Sequence, residues 1–146
     1  MLQAQRQLEA AAPLLREALQ ASRETLGDKH PDTLSSINNL GLLLQAQGQL
    51  EAAAPLYREA LQARRETLGD KHPDTLTSIY NLGALLKARG QLEEALALFR
   101  EELEGCASRY GESHNETRSS ADGVVELLRQ MGRAAEATAV AERFRM

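Results

Sequence analysis

Residues 25–48 read TLGDKHPDTLSSINNLGLLLQAQG, and residues 67–90 return nearly the same text, TLGDKHPDTLTSIYNLGALLKARG. A worn third copy over 109–132 keeps Gly111, His114, Thr117, Ser120, Leu127, Leu128 and Gly132 in register. Gly48, Gly90 and Gly132 thus mark a 42-residue period, the scale of stacked structural repeats. A unit of that length cannot bury an apolar face alone, so its core is the seam with the next unit.

Outward from this stretch each full unit reads as two helices. The first spans about 31–47. Pro31 presets the backbone of its opening turn, and Asp32 suits the positive end of its dipole. Leu34, Ile37, Leu40 and Leu44 recur every three or four residues as its apolar stripe, and Gly48 stops it. The second spans about 50–68, with Leu50, Ala53, Leu56, Tyr57, Ala60 and Leu61 on one face and Gly69 as its stop. The next pairs fall at about 74–89 with 92–109, and 116–131 with 133–145. The repeats run about 7–48, 49–90 and 91–132, followed by a terminal helix over 133–146. Residues 1–6 read as the truncated tail of a preceding helix, because MLQAQ matches Leu44 to Gln47 in phase. Arg6 stands where Gly48 and Gly90 stop their helices, which predicts one continuous helix from Gln3 to about Leu26 with Pro13 tolerated inside it. A frayed N-terminus is the alternative.

Composition agrees. Aromatics make up 3% of the 146 residues and there is no Trp, so Leu and Ala must fill the interior. Both are strong helix formers, and strand-like alternation is absent, so the class is all-α. The formal net charge is -4 without a basic block, which argues against a nucleic-acid partner. No apolar run approaches a membrane span, and the first residues lack a signal-like apolar core. Cys106 stands alone, which excludes an internal disulfide and a cysteine-based zinc site and points to a reducing, cytoplasmic setting. One repeat domain over 1–146 is expected.

Ile37, Leu40, Gly41, Leu44, Gly48, Ala53, Tyr57 and Ala60 fall at the spacing of the tetratricopeptide (TPR) signature, and Ile79, Leu82, Gly83, Leu86, Gly90, Ala95 and Phe99 repeat it. The linker from Leu26 to Asp32 and the following Asn38, Asn39 and Leu40 resemble the longer, 42-residue TPR-like units of kinesin light chains. The chain departs from the pattern at Ile37 and Leu44, where aromatics are usual, and at Val125, where the helix glycine belongs. The resemblance implies a right-handed α-solenoid of stacked antiparallel helix pairs, about seven helices in all. It implies that Gly41 and Gly83 let the first helix approach a small residue of the second, Ala53 and Ala95. With Val125 at that register, the last pair is expected to stand farther apart.

The copies beginning at 7 and 49 differ at seven positions. Four of them, 35, 38, 42 and 45, are spaced to share one helix face. Ser35, Asn38, Leu42 and Gln45 become Thr77, Tyr80, Ala84 and Lys87, then Ser119, Asp122, Glu126 and Arg129. A stripe that drifts while the core stays fixed is either an unconstrained solvent face or a surface tuned to a ligand. The resemblance places it in a concave peptide-binding groove. It also implies that Asn39 and Asn81 hydrogen-bond a bound peptide backbone there, an amide offering donor and acceptor together. An asparagine satisfying a loop is the other reading, and the third copy carries Gly123 instead.

His30, His72 and His114 recur once per unit without companions at ligand spacing, so they read as turn residues and no metal site is expected. Glu93 with Glu94, and Glu101 with Glu102, are neighbours that point apart on a helix, which suits a solvated face better than paired acid chemistry. Cys106 has no partner for nucleophilic work. No catalytic residue and no cofactor are expected. The reading is a non-catalytic interaction scaffold that takes an extended peptide or short helix in its groove. The alternatives are a structural spacer or oligomerisation segment without a groove ligand, and a fragment whose function lies elsewhere. The stripe of Leu8, Ala11, Leu15, Ala18 and Leu19 on the first helix further suggests a homodimer through that helix.

Overall fold

The computed structural model describes residues 2–145, with side chains from residue 6 onward. Seven helices and no strand occur among the described residues: α1 Leu2–Leu26, α2 Pro31–Ala46, α3 Leu50–Leu68, α4 Pro73–Ala88, α5 Leu92–Tyr110, α6 Asn115–Gln130 and α7 Ala134–Arg143. The chain is all-α, as its composition requires. It divides into two compact units, Met1–Gly69 and Asp70–Met146.

In the first unit α2 packs against both α1 and α3. Thr33, Leu34, Ile37, Leu40, Gly41, Leu43 and Leu44 of α2 are buried, as are Ala53, Ala54, Tyr57, Ala60 and Leu61 of α3. α1 runs unbroken past Arg6 and Pro13, as the missing glycine predicted. Outside the core, the Arg23 guanidinium donates to both carboxylate oxygens of Glu59 at 2.6 and 2.9 Å, tying α1 to α3.

In the second unit each of α4, α5 and α6 packs against the helix that follows it. The core is Leu76, Ile79, Leu82, Leu85 and Leu86 of α4, Ala95, Leu96, Phe99, Leu103 and Cys106 of α5, and Ala121, Val124, Val125, Leu127 and Leu128 of α6. α7 buries Ala137, and beyond it Phe144 closes the end. Arg100 reaches Glu136, and Arg143 reaches Glu104 and Glu112, on the solvent side. Exposed pairs of this kind add little stability each.

Two backbone features explain the punctuation. At Gly48 φ is +80°, and the Gln49 N–H reaches back to the Leu44 carbonyl at 2.8 Å, closing the end of α2. Gly69 stops α3 with φ +89° and ψ 165°, a region that residues with a Cβ avoid.

The mid-helix glycines act differently from what the resemblance implies. A Cβ at Gly41 would lie 2.7 Å from Tyr57 Cε1, and one at Gly83 would lie 2.8 Å from Phe99 Cε1. The glycine makes room for an aromatic ring; the nearest atoms are not those of Ala53 or Ala95. In the last pair Val125 stands at the glycine register, and Ala141 stands at the register of Tyr57 and Phe99. Large and small have changed sides, which removes the reason for a wider last pair.

Candidate functional site

The drifting stripes sit where they do because each first helix starts on the same cap. The Nδ1 of His30 accepts the Asp32 N–H at 3.1 Å, that of His72 accepts the Asp74 N–H at 3.0 Å, and that of His114 accepts the Glu116 N–H at 3.0 Å. A helix opens with N–H groups that have no partner inside it, and the imidazole satisfies one of them. The histidines are therefore helix caps, a sharper role than the turn that spacing suggested. The only signal was their place directly before Pro-Asp or Asn-Glu. A common start puts the residues 5, 8, 12 and 15 places further on the same face of α2, α4 and α6.

In the first unit, Ser35, Asn39 and Leu42 of α2 are exposed, and Asn38 and Gln45 are half-buried. Leu42 is 45% exposed, unusual for a leucine of a packed helix. Gln45 is engaged: its Oε1 accepts the Tyr57 O–H at 2.9 Å. Tyr57 is 1% exposed, and burial pushes its hydroxyl up to about 12, so it stays a donor in need of that acceptor. Gln45, assigned to the binding stripe from its drift, therefore serves the α2–α3 seam.

In the second unit, α4 carries Thr77 and Tyr80 exposed, with Asn81, Ala84 and Lys87 half-buried. The Thr77 hydroxyl donates back to the Pro73 carbonyl at 3.0 Å. Tyr80 is 48% exposed, and its ring stacks on Phe99 with centroids 5.7 Å apart and planes 21° apart. One face of Tyr80 is thus fixed by α5 while much of the side chain meets water. On α6, Ser119, Asp122, Glu126 and Arg129 are all exposed. Asp122, Glu126 and Arg129 rim a hollow of about 470 Å³ floored by Val125 and Ala141, at the place where the large-for-small exchange occurred. Every stripe residue lies outside the core. Phe99 as the support of Tyr80 was missed, although its signal was present: Tyr57 with Gln45 becomes Phe99 with Lys87, a change of both partners together.

Two further ionisable groups lie on α5. Cys106 is buried, and burial, with the carboxylates of Glu102 and Glu116, pushes its thiol up to about 11. That suppresses the nucleophilic thiolate. Glu102 is not on a solvated face. It is half-buried where α5 meets α6, and it accepts the Ser120 O–H at 2.6 Å. No group of three or more His, Cys, Asp and Glu among the described residues is placed to hold a metal. No helix among them is long and apolar enough to cross a membrane.

A family model described as tetratricopeptide repeat matches residues 1–66, 35–108 and 79–143. The fold is similar to the crystal structure of the nearly identical TPR-like repeats of a Podosopora anserina protein described as a kinesin light chain. The two are 27% identical with a TM-score of 0.86, covering 94% of this chain and 65% of that one. A variant of that protein gives 26% identity and the same TM-score. BtubC (BKLC) from P. vanneervenii shares the fold with a TM-score of 0.85 at 18% identity, over 95% of this chain and 56% of that one. The chain thus spans about 65% of the length of the first two structures. No curated protein matches. With the family model matched from end to end of the helical array, the chain belongs to the tetratricopeptide repeat family and is of its kinesin-light-chain type.

Proposed function

We propose that the chain is a non-catalytic scaffold that binds an extended peptide or a short helix along its first-helix stripes, in the concave groove that the resemblance implies. Repeats of this family mediate protein–protein interaction. The observation that carries the finer reading is Tyr80: an aromatic side chain 48% exposed, braced by a stacked ring, beside the drifting positions Thr77, Ala84 and Lys87 and the unchanged Asn81. Half-exposed aromatics on a rigid support are favoured anchors at interfaces, because little side-chain freedom is lost on binding. Asn39 and Asn81 add paired donors and acceptors for a peptide backbone. Residues 1–146 act as one repeat domain in this reading, in the cytoplasm and without a cofactor.

A peptide-array screen against the full chain tests it. Sequence-selective binding should weaken about 5- to 30-fold in Tyr80→Ala and Asn81→Ala, an effect of ~1–2 kcal/mol, with helicity retained. Selective hits that survive both substitutions refute the site. A screen without selective hits favours a structural spacer.

A further inference from the structure

The hollow on α6 and α7 is the place where the third helix pair parts from the other two. In α4–α5 the Phe99 ring lies over Gly83, and Tyr80 stacks on it with centroids 5.7 Å apart. In α2–α3 the Tyr57 ring lies over Gly41, and its hydroxyl reaches Gln45. The third pair carries Ala141 at the register of the ring, Val125 at that of the glycine, Asp122 at that of Tyr80 and Arg129 at that of Gln45 and Lys87. Those four, with Glu126, line the hollow of about 470 Å³. Valine adds fewer carbon atoms on the glycine side than alanine removes on the ring side, so the opening comes from the side chains of the seam itself. Val125 is buried and makes an apolar floor with Ala141, whereas Asp122, Glu126 and Arg129 are exposed on the rim. Asp122 and Glu126 are four residues apart, one turn along the same helix face, and Arg129 lies a further turn on. Among the described residues none of these three forms an ion pair.

We propose that the hollow receives an arginine side chain of the bound peptide, with its aliphatic stem on Val125 and Ala141 and its guanidinium between the Asp122 and Glu126 carboxylates. The proposal rests on the groove reading and names the chemistry of one place along it. The hollow asks two things of a single side chain, apolar length for the floor and positive charge for the rim. A phenyl ring refills the space but brings no charge to the two carboxylates. A carboxylate or phosphate meets them as a like charge. Long basic side chains lay their methylenes on apolar surface while the head stays at the wet edge. A guanidinium is the better head, because its planar fork donates to carboxylate oxygens in pairs and is more weakly hydrated than an ammonium. Arg129 sets the direction: its like charge turns the guanidinium toward the Asp122 end of the hollow.

The probe is Nα-acetyl-arginine amide, titrated into the full chain and read on the methyl NMR signals of Val125 and Ala141, with saturation transfer to the probe as a second readout. Nα-acetyl-citrulline amide, the same stem with an uncharged head, is the control ligand. Saturable shifts of both methyls are expected, and the citrulline probe should bind about fivefold more weakly, the scale of two rim ion pairs. Asp122→Asn with Glu126→Gln should cost the arginine probe about the same factor, and Arg129→Gln should strengthen its binding about twofold. Glu51→Gln, at an exposed position of α3, should leave binding unchanged, which separates the local rim from net charge. Val125→Gly with Ala141→Phe restores the ring-over-glycine pair of α4–α5 and should abolish saturation transfer while helicity is kept. Unmoved methyls, equal binding of the two probes, or binding that survives both the rim and the ring variants overturns the proposal. The peptide array separates it from the groove reading. Selective peptides indifferent to Asp122 and Glu126 overturn this site and leave the groove. Arginine-selective binding in the hollow without any selective peptide supports the site and overturns the groove.

Discussion

The seams α2–α3 and α4–α5 are built from nearly the same letters and close in different ways. In the first, Tyr57 fills the space over Gly41 and spends its hydroxyl on Gln45. In the second, Phe99 fills the same space over Gly83 without a hydroxyl, Lys87 replaces the glutamine, and Tyr80 stacks on the ring from the neighbouring turn. The lost hydroxyl removes the partner that engages the glutamine register, and the separate change of Asn38 to Tyr80 sets a second ring against the one in the seam. The drift on the stripe therefore has two sources, accommodation of the seam beneath it and freedom of the surface above it. Gln45 belongs to the first source, because its amide oxygen is taken up by Tyr57.

The largest expected effects come from breaking the size match. Phe99→Ala should cost about 3–5 kcal/mol in urea denaturation, by lost transfer energy and a residual cavity. Gly83→Val should cost about 1–3 kcal/mol, because its side chain starts 2.8–2.9 Å from the Phe99 ring. The double variant reproduces the Val125 and Ala141 combination of the last pair. It should be more stable than the sum of the single losses predicts, by ~1–3 kcal/mol. Strict additivity would show that these two positions do not share a space.

The polar half of the comparison is smaller. Gln45→Ala should cost about 1–2 kcal/mol, since it leaves the buried Tyr57 hydroxyl without its acceptor, and Tyr57→Phe in the same chain should restore most of the loss. Lys87→Ala, at the same register over a phenylalanine, should change stability by less than about 0.5 kcal/mol. Equal costs at the two positions would undo the contrast between the seams.

Much of this was legible in the letters. The period, the glycine stops and the Leu/Ile spacing defined all seven helices, and Arg6 in place of glycine defined the unbroken α1. What stayed hidden lies between helices. Periodicity shows that Gly41 is buried but cannot show that a ring lies over it, because that depends on how two helices cross. The same limit concealed Glu102: adjacent glutamates on a helix read as solvated, yet one of them turns into the α5–α6 seam toward Ser120. The stripe residues lie exposed or half-buried on their helices, and the engagement of Gln45 by Tyr57 could be seen only with both helices in place.

Glu102 supplies the smallest effect, and the one that depends on pH. In α3 its register is held by Ala60, fully buried; in α5 it holds a carboxyl that burial pushes above the usual glutamate range, with Glu116 adding to the rise and the Ser120 hydrogen bond opposing it. A carboxyl whose folded value exceeds its unfolded value stabilises the fold fully when protonated and loses that contribution as pH rises through the folded value. At neutral pH the carboxylate is therefore a net cost to the α5–α6 seam. Glu102→Gln keeps an oxygen for the Ser120 hydroxyl and removes the charge. Its urea midpoint should exceed the parent's at pH 7, and the gap should close as the pH falls through the glutamate range, where the parent side chain is also neutral. Cys106 gives a second readout, because part of its raised value comes from Glu102: alkylation of the native thiol near pH 9 should be faster in the variant. Parallel stability profiles at all pH values would mean that Glu102 is solvated and the α5–α6 seam as tolerant of charge as the outer face.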